Sequence, residues 1–337
     1  MEVRRAAAAL AALLLVAVGG CSIAGDDGGR ERRGPKRPLE GCGPIGYGDV
    51  AGRAPSYVGP PLADLRNGEA LCAGAWLPAT GTPFVPQGLV VDGRTAWVSG
   101  YDHGLGTAEY GHNDICRLLK VDLRTGRRLV ERSPIQADLA PREPSVCWHA
   151  GGLAVDEHGL WVSQRTKVWL LAPDDLSVRS VWHLVEPVRG SFLVLDDQGR
   201  LGTGGFHSRR AHPLHWFDID AILEPGVIDL TPGDAVGSQV LPRASQGALW
   251  ADLGPGDDRL WVARSTTYCG ELWAGPARRY AFLPGAEGLS LAGDRLWALS
   301  ESTSEPYFSQ GGRPVVPQVA GFDVGRLRAW ERSTCEF

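Results

Sequence analysis

Short apolar runs that begin at a glycine and end at a polar turn recur along the chain from residue 86 onward. In three copies a tryptophan follows the glycine after nine positions: Gly88 and Trp97, Gly152 and Trp161, and Gly288 and Trp297. A fourth copy runs from Gly247 to Trp261 with a longer turn, and a fifth, from Gly190 to Gly202, lacks the tryptophan. Two short apolar runs around a tight turn are typical of a β-hairpin, so each copy predicts two paired strands.

A second element lies downstream in most copies, where an aspartate follows another apolar run. It occurs at Val121-Asp122, Pro173-Asp174, Phe217-Asp218 and Phe322-Asp323 and predicts the turn of a second hairpin. Two hairpins make a four-stranded sheet of about 40 to 60 residues, the size of a propeller blade. The sequence therefore predicts an all-β fold, a β-propeller of five four-stranded blades, with six blades as the open alternative. The predicted blades span 83–140, 141–187, 188–243, 244–284 and 285–337.

The repeated tryptophans are interpreted as structural. A large flat ring on a middle strand fills the gap between neighbouring blades; an aromatic ligand-binding box is the alternative for Trp97, Trp161, Trp261 and Trp297. The ring of blades must also close. The alternating stretch from Glu69 to Pro78 is expected to add a strand to the last blade.

The motif Gly-Leu-x-[Val/Leu]-Asp followed by Leu-Trp-Val resembles bacterial secreted propellers of the broad NHL, YVTN and gluconolactonase-like type, over about three quarters of the chain. The resemblance implies the fold and says little about activity. Gluconolactonase-like relatives hold a divalent cation with channel carboxylates and asparagine. This chain has only Asn67 and Asn113, and neither lies just before an inner strand, which counts against a lactonase of that type.

The first 21 residues carry an export signal. Arg4 and Arg5 precede an uncharged apolar run from Ala6 to Val18, too short to span a bilayer as a helix but suited to a signal peptide. Val18-Gly19-Gly20-Cys21 resembles the bacterial lipobox, in which the cysteine receives the lipid. We therefore expect a cleaved signal peptide (1–20), lipidation of Cys21, a flexible tether (21–60), and the propeller domain (61–337). The protein would sit on the extracytoplasmic side of the cell membrane. An ordinary secretory signal with a chance cysteine is the alternative.

Six cysteines follow Cys21, an even number that favours up to three disulfides in an exported chain, although free buried thiols remain an alternative. If the Glu69–Pro78 strand joins the last blade, Cys72 is expected near Cys335, and the two are predicted to form a clasp. Cys116 and Cys147 flank the outer hairpin of the first blade and are predicted to pair. Cys42 and Cys269 are left over.

Charge and motifs exclude several classes of function. The net charge of −5, with no basic block beyond the Arg30–Arg37 stretch, does not suggest a nucleic-acid groove. The sequence contains no Gly-x-Ser-x-Gly elbow, no His-Glu-x-x-His, no Walker loop and no Gly-x-Gly-x-x-Gly that opens a helix. A monomer is expected.

Candidate functional residues lie in the loops that precede the first strand of each blade and in those that follow its second strand, because both sets of loops emerge on one face of a propeller. The predicted ligand-binding residues are Gln87, Tyr101, His103, His149, His207, Gln246, Glu287 and Glu301. Six of the eight histidines, at 103, 112, 149, 207, 212 and 215, are predicted on this face. Glu287 and Glu301 flank the same inner hairpin and are expected to form a carboxylate pair at the channel mouth.

Two hypotheses of function follow. The favoured one is a lipid-tethered binding module that presents this mouth to a small molecule, a glycan or a protein. The alternative is a hydrolase or lyase that uses a divalent cation in the same mouth. The histidine spacings match no recognised metal signature, so a solvated polar rim also remains open.

Overall fold

A computed structural model of the protein describes residues 42–78, 83–106, 114–138, 144–254, 259–311 and 313–337. The predicted signal peptide, Cys21 and the predicted tether up to residue 41 lie outside the described residues, as does His112. Within the described ranges, no helix is long and apolar enough to cross a membrane.

Blades 1 and 2 are antiparallel sheets built from consecutive hairpins. Blade 1 comprises β2 (Phe84–Asp92), β3 (Thr95–Asp102), β4 (Ile115–Asp122) and β5 (Arg127–Arg132). Blade 2 comprises β8 (Gly152–Val155), β9 (Leu160–Gln164), β10 (Lys167–Leu171) and β11 (Val178–Leu184). The short β15 (Asp229–Leu230) adds a fifth, parallel strand to its outer edge. A small hairpin of β6 (Gln136–Ala137) and β7 (Ser145–Val146) connects the two blades.

Blades 3 and 4 have four strands each. Blade 3 comprises β12 (Phe192–Leu195), β13 (Arg200–Gly204), β14 (His212–Asp218) and β16 (Gly237–Leu241), with α1 (Ile219–Leu223) after β14. Blade 4 comprises β17 (Ser245–Trp250), β18 (Leu260–Thr266), β19 (Cys269–Trp273) and β20 (Arg279–Phe282).

Blade 5 closes the ring with a strand from the N-terminal side of the domain. It comprises β21 (Ala286–Ala292), β22 (Arg295–Ser300), β23 (Val319–Asp323) and β1 (Leu71–Ala75), and α2 (Tyr307–Gln310) lies between β22 and β23. Strand β1 pairs antiparallel with β23, from Leu71 opposite Phe322 to Ala75 opposite Val319. The inner strands contact one another in the order β2, β8, β12, β17, β21 and back to β2. The predicted five-bladed propeller and its closing strand are confirmed.

Apolar side chains from neighbouring blades share each core. One cluster joins blades 5 and 1 through Leu299 and Val98, and another joins blades 1 and 2 through Leu118 and Val162. The predicted tryptophans are buried in these cores: Trp97, Trp161, Trp261 and Trp297 are at most 7% exposed. Their predicted structural role is confirmed, because each ring removes a large apolar area from water between two sheets.

The missing tryptophan of blade 3 has a steric explanation. Gly202 lies opposite Trp216 of the next strand, and a Cβ on Gly202 would approach the Trp216 ring to 2.9 Å. Blade 5 has the reverse arrangement, in which Trp297 occupies the second strand and Gly321 lies opposite it on β23. In blades 3 and 5 a tryptophan on either the second or the third strand therefore fills the same layer, and a glycine lies opposite it on the other strand.

Two of the four predicted second turns start helices instead of hairpins. Asp218 caps α1 by accepting hydrogen bonds from the backbone N–H groups of Asp220 and Ala221. Asp323 accepts from the N–H of Gly325 at the start of a 3-10 helix, Val324–Ala329. An aspartate after an apolar run serves equally well as a turn residue and as a helix N-cap, and the sequence pattern does not distinguish them.

Three disulfides link segments outside the blades to the ring: Cys42–Cys72, Cys116–Cys147 and Cys269–Cys335. The predicted Cys116–Cys147 pair is confirmed, and the predicted Cys72–Cys335 clasp is wrong. After β23 the chain forms the 3-10 helix and then runs along β20 of blade 4, where the N–H of Ser333 donates to the carbonyl of Arg279. Cys335 thereby reaches Cys269 of blade 4, and Cys72 bonds to Cys42.

Residues 42–60 lie against the domain. Tyr47–Asp49 form a 3-10 helix, and Ala51 forms a parallel bridge with Ala75 of β1. Val50 and Val58 are buried in a cluster with Trp76 and Phe308. This segment is thus held both by apolar contacts and by the Cys42–Cys72 bond.

Candidate functional site

One cavity of about 780 Å³ opens at the end of the ring where the inner strands begin. This volume lies in the range of about 300–1,000 Å³ that is common for small-molecule sites. Six of the eight predicted ligand-binding residues line it: Gln87, His149, His207, Gln246, Glu287 and Glu301.

The cavity has a closed floor. Below it the inner strands come so close that the space between them is only about 10 Å³, barely the room that one water molecule needs. Glycines make this approach possible: a Cβ on Gly247 would lie 2.1 Å from the carbonyl oxygen of Glu287, and one on Gly152 would lie 2.4 Å from the N–H nitrogen of Leu193. The site is therefore a pocket and not an open channel.

Three of the lining side chains point inward because of strand irregularities. The register of the first two strands shifts between Pro86 and Gly88 in blade 1, between Ser245 and Gly247 in blade 4, and between Ala286 and Leu289 in blade 5. A β-bulge leaves a residue unpaired and redirects its side chain. The redirected residues are Gln87, Gln246 and Glu287, all on inner strands at the cavity.

Glu287 and Glu301, hereafter the acid pair, are the most buried charged groups of the cavity, with exposed fractions of 2% and 7%. The Gln87 amide donates to Glu301 Oε2 at 2.8 Å, whereas Glu287 Oε1 has no hydrogen-bond partner among the described residues. Burial raises the pKa of Glu301 to about 8, an increase that the Gln87 hydrogen bond partly offsets. Burial and the neighbouring Glu301 raise the pKa of Glu287. The pair therefore holds protons at neutral pH when no cation is bound.

A tightly hydrogen-bonded polar loop positions Glu301. The Glu301 N–H donates to the carbonyl of Gly285, and the Ser300 hydroxyl donates to the carbonyl of Pro284 at 2.8 Å. Further along, the Thr303 hydroxyl donates to the carbonyl of Val316 at 2.7 Å. Because these polar groups are buried and satisfied, the carboxyl group is presented from a fixed backbone.

Aromatic side chains lie next to the acid pair: His149 and Tyr307 line the cavity, whereas the predicted Tyr101 is buried and does not line it. Tyr101 stacks on His149 with ring centroids 4.2 Å apart, and its hydroxyl lies 3.0 Å from that of Tyr307, which lines the cavity. Burial lowers the pKa of His149 to about 4, so this ring is neutral at neutral pH. Burial and the nearby Glu301 raise the pKa of Tyr307 to about 12, and burial together with Tyr307 raises the pKa of Tyr101. Both tyrosines are thus neutral hydrogen-bonding groups.

Arginines occupy the opposite wall. Arg165, Arg189 and Arg210, hereafter the cationic wall, line the cavity from blades 2 and 3. Arg189 pairs with Glu186, whereas Arg165 and Arg210 have no carboxylate partner within the part of the chain that the structure describes. His207 Nδ1 accepts the N–H groups of Arg209 and Arg210 at 3.1 and 3.3 Å, which fixes the loop that carries Arg210.

Two histidines of the predicted face are not brought to the cavity. His103 lies outside the lining and pairs with Asp114, Nδ1 to Oδ1 at 3.2 Å. His215 is buried within blade 3, where its Nδ1 has no partner among the described residues. Among the described residues, no three His, Cys, Asp or Glu side chains converge as they would to hold a metal ion.

Several residues that line the cavity belong to no recognisable sequence motif. Trp148, Arg165, Ser191 and the run Ser265–Thr267 belong to the cavity but were not predicted as site residues. Trp148 is the chain neighbour of the predicted His149, and Arg165 directly follows β9, the second strand of blade 2. Arg264 shows the limit of such mapping: its guanidinium turns away to the buried Glu271 and lies over the Phe337 ring at 4.3 Å.

Comparisons with known proteins identify no family. No protein-family model matches the chain, and no curated protein matches it. Among solved structures, the chain is similar to regucalcin, a calcium-binding protein from Agrobacterium tumefaciens (TM-score 0.39, 12% identity, 72% of this chain and 90% of that chain). It is also similar to the Pan2 WD40 domain of Neurospora crassa (0.37, 12%, 73% and 64%) and to a nidogen/laminin complex (0.36, 16%, 65% and 73%). These TM-scores are below 0.5, and nothing about the function of this chain follows from them.

Proposed function

We propose that this protein is a lipid-anchored, extracytoplasmic binding module that holds a small polar molecule in the cavity at the mouth of the ring. The observation that carries the proposal is Glu287: a buried carboxyl group that lines the cavity and has an oxygen without a partner among the described residues. An unsatisfied buried polar atom is costly, and a ligand that hydrogen-bonds to it removes that cost.

The location outside the cytoplasm is supported by two separate features. All six cysteines after Cys21 are paired in three disulfides, and structural disulfides persist in oxidising compartments. The lipobox-like Val18-Gly19-Gly20-Cys21 supports a lipid anchor at Cys21. Two or more acyl chains provide stable membrane attachment, whereas a single chain is marginal.

The proposal is tested with the full chain in detergent, by thermal shift, against panels of amino acids, dicarboxylates, sugar acids and neutral oligosaccharides. We expect at least one class to raise the melting temperature of the wild type and to lose this effect with Glu287→Gln. Glu157→Gln is the matched control, because Glu157 is an exposed carboxylate at the β8–β9 turn, away from the cavity. If no class shifts the wild-type protein, the small-molecule role is wrong; a protein partner would then be the occupant.

A second candidate, hydrolysis in the same cavity, is favoured by one observation. Glu301 has a pKa of about 8 and lies beside a second carboxyl group, so it can donate a proton at neutral pH. Such an acid would protonate the leaving oxygen of a lactone, ester or glycoside while water attacks the electrophilic carbon, and the carboxylate that is left would take up the proton that the water loses. Turnover of one of these substrate classes that is lost with Glu301→Gln and kept with Glu157→Gln would establish the enzyme. Binding without turnover would leave the binding module.

A further inference from the structure

The two charged regions of the cavity lie on opposite sides of the ring. Blade 5, which carries the acid pair, has blades 1 and 4 as its neighbours. The cationic wall belongs to blades 2 and 3, the two blades that are not neighbours of blade 5: Arg165 follows β9, Arg189 precedes β12, and Arg210 lies between β13 and β14. No ion pair joins the two regions among the described residues. Acidic and basic side chains thus face each other across a closed-floored pocket.

The acid pair lacks a cation of its own. Neither Glu287 nor Glu301 forms a salt bridge with a described lysine, arginine or histidine, and His149, which lines the same cavity, is kept neutral by burial. The other titratable groups near the acid pair are Tyr101, Tyr307 and Asp114, and none of them supplies a positive charge. An ammonium group has three donors and would satisfy Glu287 Oε1 while compensating the charge of one ionised carboxylate of the pair.

The cationic wall offers the complementary chemistry. A guanidinium presents several donors in a planar fork that suits carboxylate and phosphate groups. Arg165 and Arg210 are exposed to the cavity without a described carboxylate partner, and the His207 hydrogen bonds hold the loop that carries Arg210. Trp148, Phe206 and Tyr307 also line the cavity and provide apolar surface for the body of a ligand.

We infer that the cavity takes a zwitterionic small molecule, with its protonated amine on the acid pair and its carboxylate or phosphate group on the cationic wall. This inference rests on the proposed function, because it names the class of ligand for the same pocket. It also specifies the orientation: the amine lies toward blade 5, and the anionic group toward blades 2 and 3.

The test is calorimetry on the full chain in detergent at pH 7, with probes that differ at one end. The probes are 6-aminohexanoate, its N-acetyl derivative, 6-aminohexanamide, and 2-aminoethyl phosphate. We expect a zwitterionic probe to bind, and the loss of either charge from 6-aminohexanoate to weaken binding about tenfold or more. Whether 6-aminohexanoate or 2-aminoethyl phosphate binds more tightly shows which anionic group the arginines prefer.

Two variants test which region of the cavity binds each end of the ligand. With Glu287→Gln, 6-aminohexanoate should bind no better than its N-acetyl derivative. With Arg165→Ala/Arg210→Ala, 6-aminohexanoate should bind no better than the amide. Glu157→Gln should preserve both differences. If Glu287→Gln does not fold, the wild type supplies a second measurement: an ammonium on the acid pair lowers its pKa, so binding at pH 7 releases protons and the heat depends on the buffer.

The outcomes separate this inference from the proposed function. If the N-acetyl derivative and the amide bind as well as 6-aminohexanoate, or if binding releases no protons, the inference is wrong. If no zwitterion binds but neutral oligosaccharides, sugar acids or dicarboxylates do, the inference is wrong and the binding module stands. If no panel member of any class binds, both are wrong.

Discussion

The carbonyl oxygen of Glu287 lies only 2.1 Å from the position that a Cβ on Gly247 would occupy. The two residues belong to the inner strands of adjacent blades, β21 and β17, and both lie at the bulges where these strands begin. The backbone of Glu287, whose buried carboxyl group lines the cavity, therefore packs directly against Gly247 of the neighbouring blade. Ring closure and the position of the acid pair depend on the same contact.

Gly247→Ala is expected to destabilise the protein by about 1–3 kcal/mol, the usual cost of forcing an extra carbon into a packed core. The methyl group must displace the Glu287 backbone, so ligand binding should weaken as well. Urea denaturation followed by tryptophan fluorescence measures the first effect.

Gly237→Ala is the matched control, because a Cβ at Gly237, on the outer strand β16, meets nothing within 4 Å. It should be neutral or slightly stabilising, since alanine reduces the entropy of the unfolded chain. Equal stability of the two variants would contradict the close packing of the inner strands.

The repeat made most of the fold predictable. When Gly88-Leu89 and Trp97 are aligned with their later copies, the alignment predicts the inner hairpins, the order of the blades and the positions that face the mouth. Gln87, Glu287 and Glu301 were found in this way, because each occupies a fixed place relative to a repeated hairpin. Such predictions depend on backbone periodicity, which a local sequence pattern specifies well.

Features outside the repeat were not predictable in the same way. The Cys72–Cys335 prediction failed because the segment after Asp323 starts a 3-10 helix and returns along blade 4, a path set by tertiary packing. None of the arginines of the cationic wall was among the predicted ligand-binding residues, although all three lie in loops at the predicted mouth. Whether an arginine faces a cavity or, like Arg264, a buried glutamate depends on neighbours that are distant in sequence.

The Cys269–Cys335 bond should contribute markedly to stability. It fixes the C-terminal segment on blade 4, where the Arg279 guanidinium also donates to the Cys335 carbonyl at 3.0 Å. Replacing both cysteines by serine is expected to cost about 2–5 kcal/mol, as for native disulfides that close loops of this length. Urea denaturation of the double variant measures the loss.

Peptide mapping of the unreduced wild type checks the connectivity on which this expectation depends. It should recover Cys42 with Cys72, Cys116 with Cys147, and Cys269 with Cys335. A peptide that links Cys72 to Cys335 would contradict the path of the C-terminal segment along blade 4.

Cys21→Ala should abolish membrane attachment. We expect the wild type, expressed in a bacterial host, to incorporate an alkyne-tagged fatty acid and to sediment with membranes, whereas the variant incorporates none. Cys42→Ala is a suitable control because that cysteine is engaged in a disulfide. Labelling that persists in Cys21→Ala, or that disappears in Cys42→Ala, would contradict the assignment of Cys21 as the anchor.

The acid pair should make the unliganded protein less stable as the pH rises. Glu301 has a pKa of about 8 in the folded protein, whereas the unfolded chain has the ordinary glutamate value near 4.5. Between these values the folded state binds more protons than the unfolded state. The stability that the protonated carboxyl provides is therefore complete below pH 4.5 and is lost progressively as the pH approaches 8, with a slope of at most about 1.4 kcal/mol per pH unit for one proton.

Glu301→Gln removes this titration while keeping the shape and the hydrogen-bonding capacity of the side chain. Its unfolding free energy should fall less than that of the wild type between pH 5 and pH 8.5, and Glu157→Gln should follow the wild type. A zwitterionic ligand should reverse the trend, because its ammonium stabilises the ionised pair and binding then strengthens with pH until the amine itself loses its proton. Parallel stability profiles for the wild type and Glu301→Gln would show that the pair is ionised in the folded protein and that another group compensates its charge.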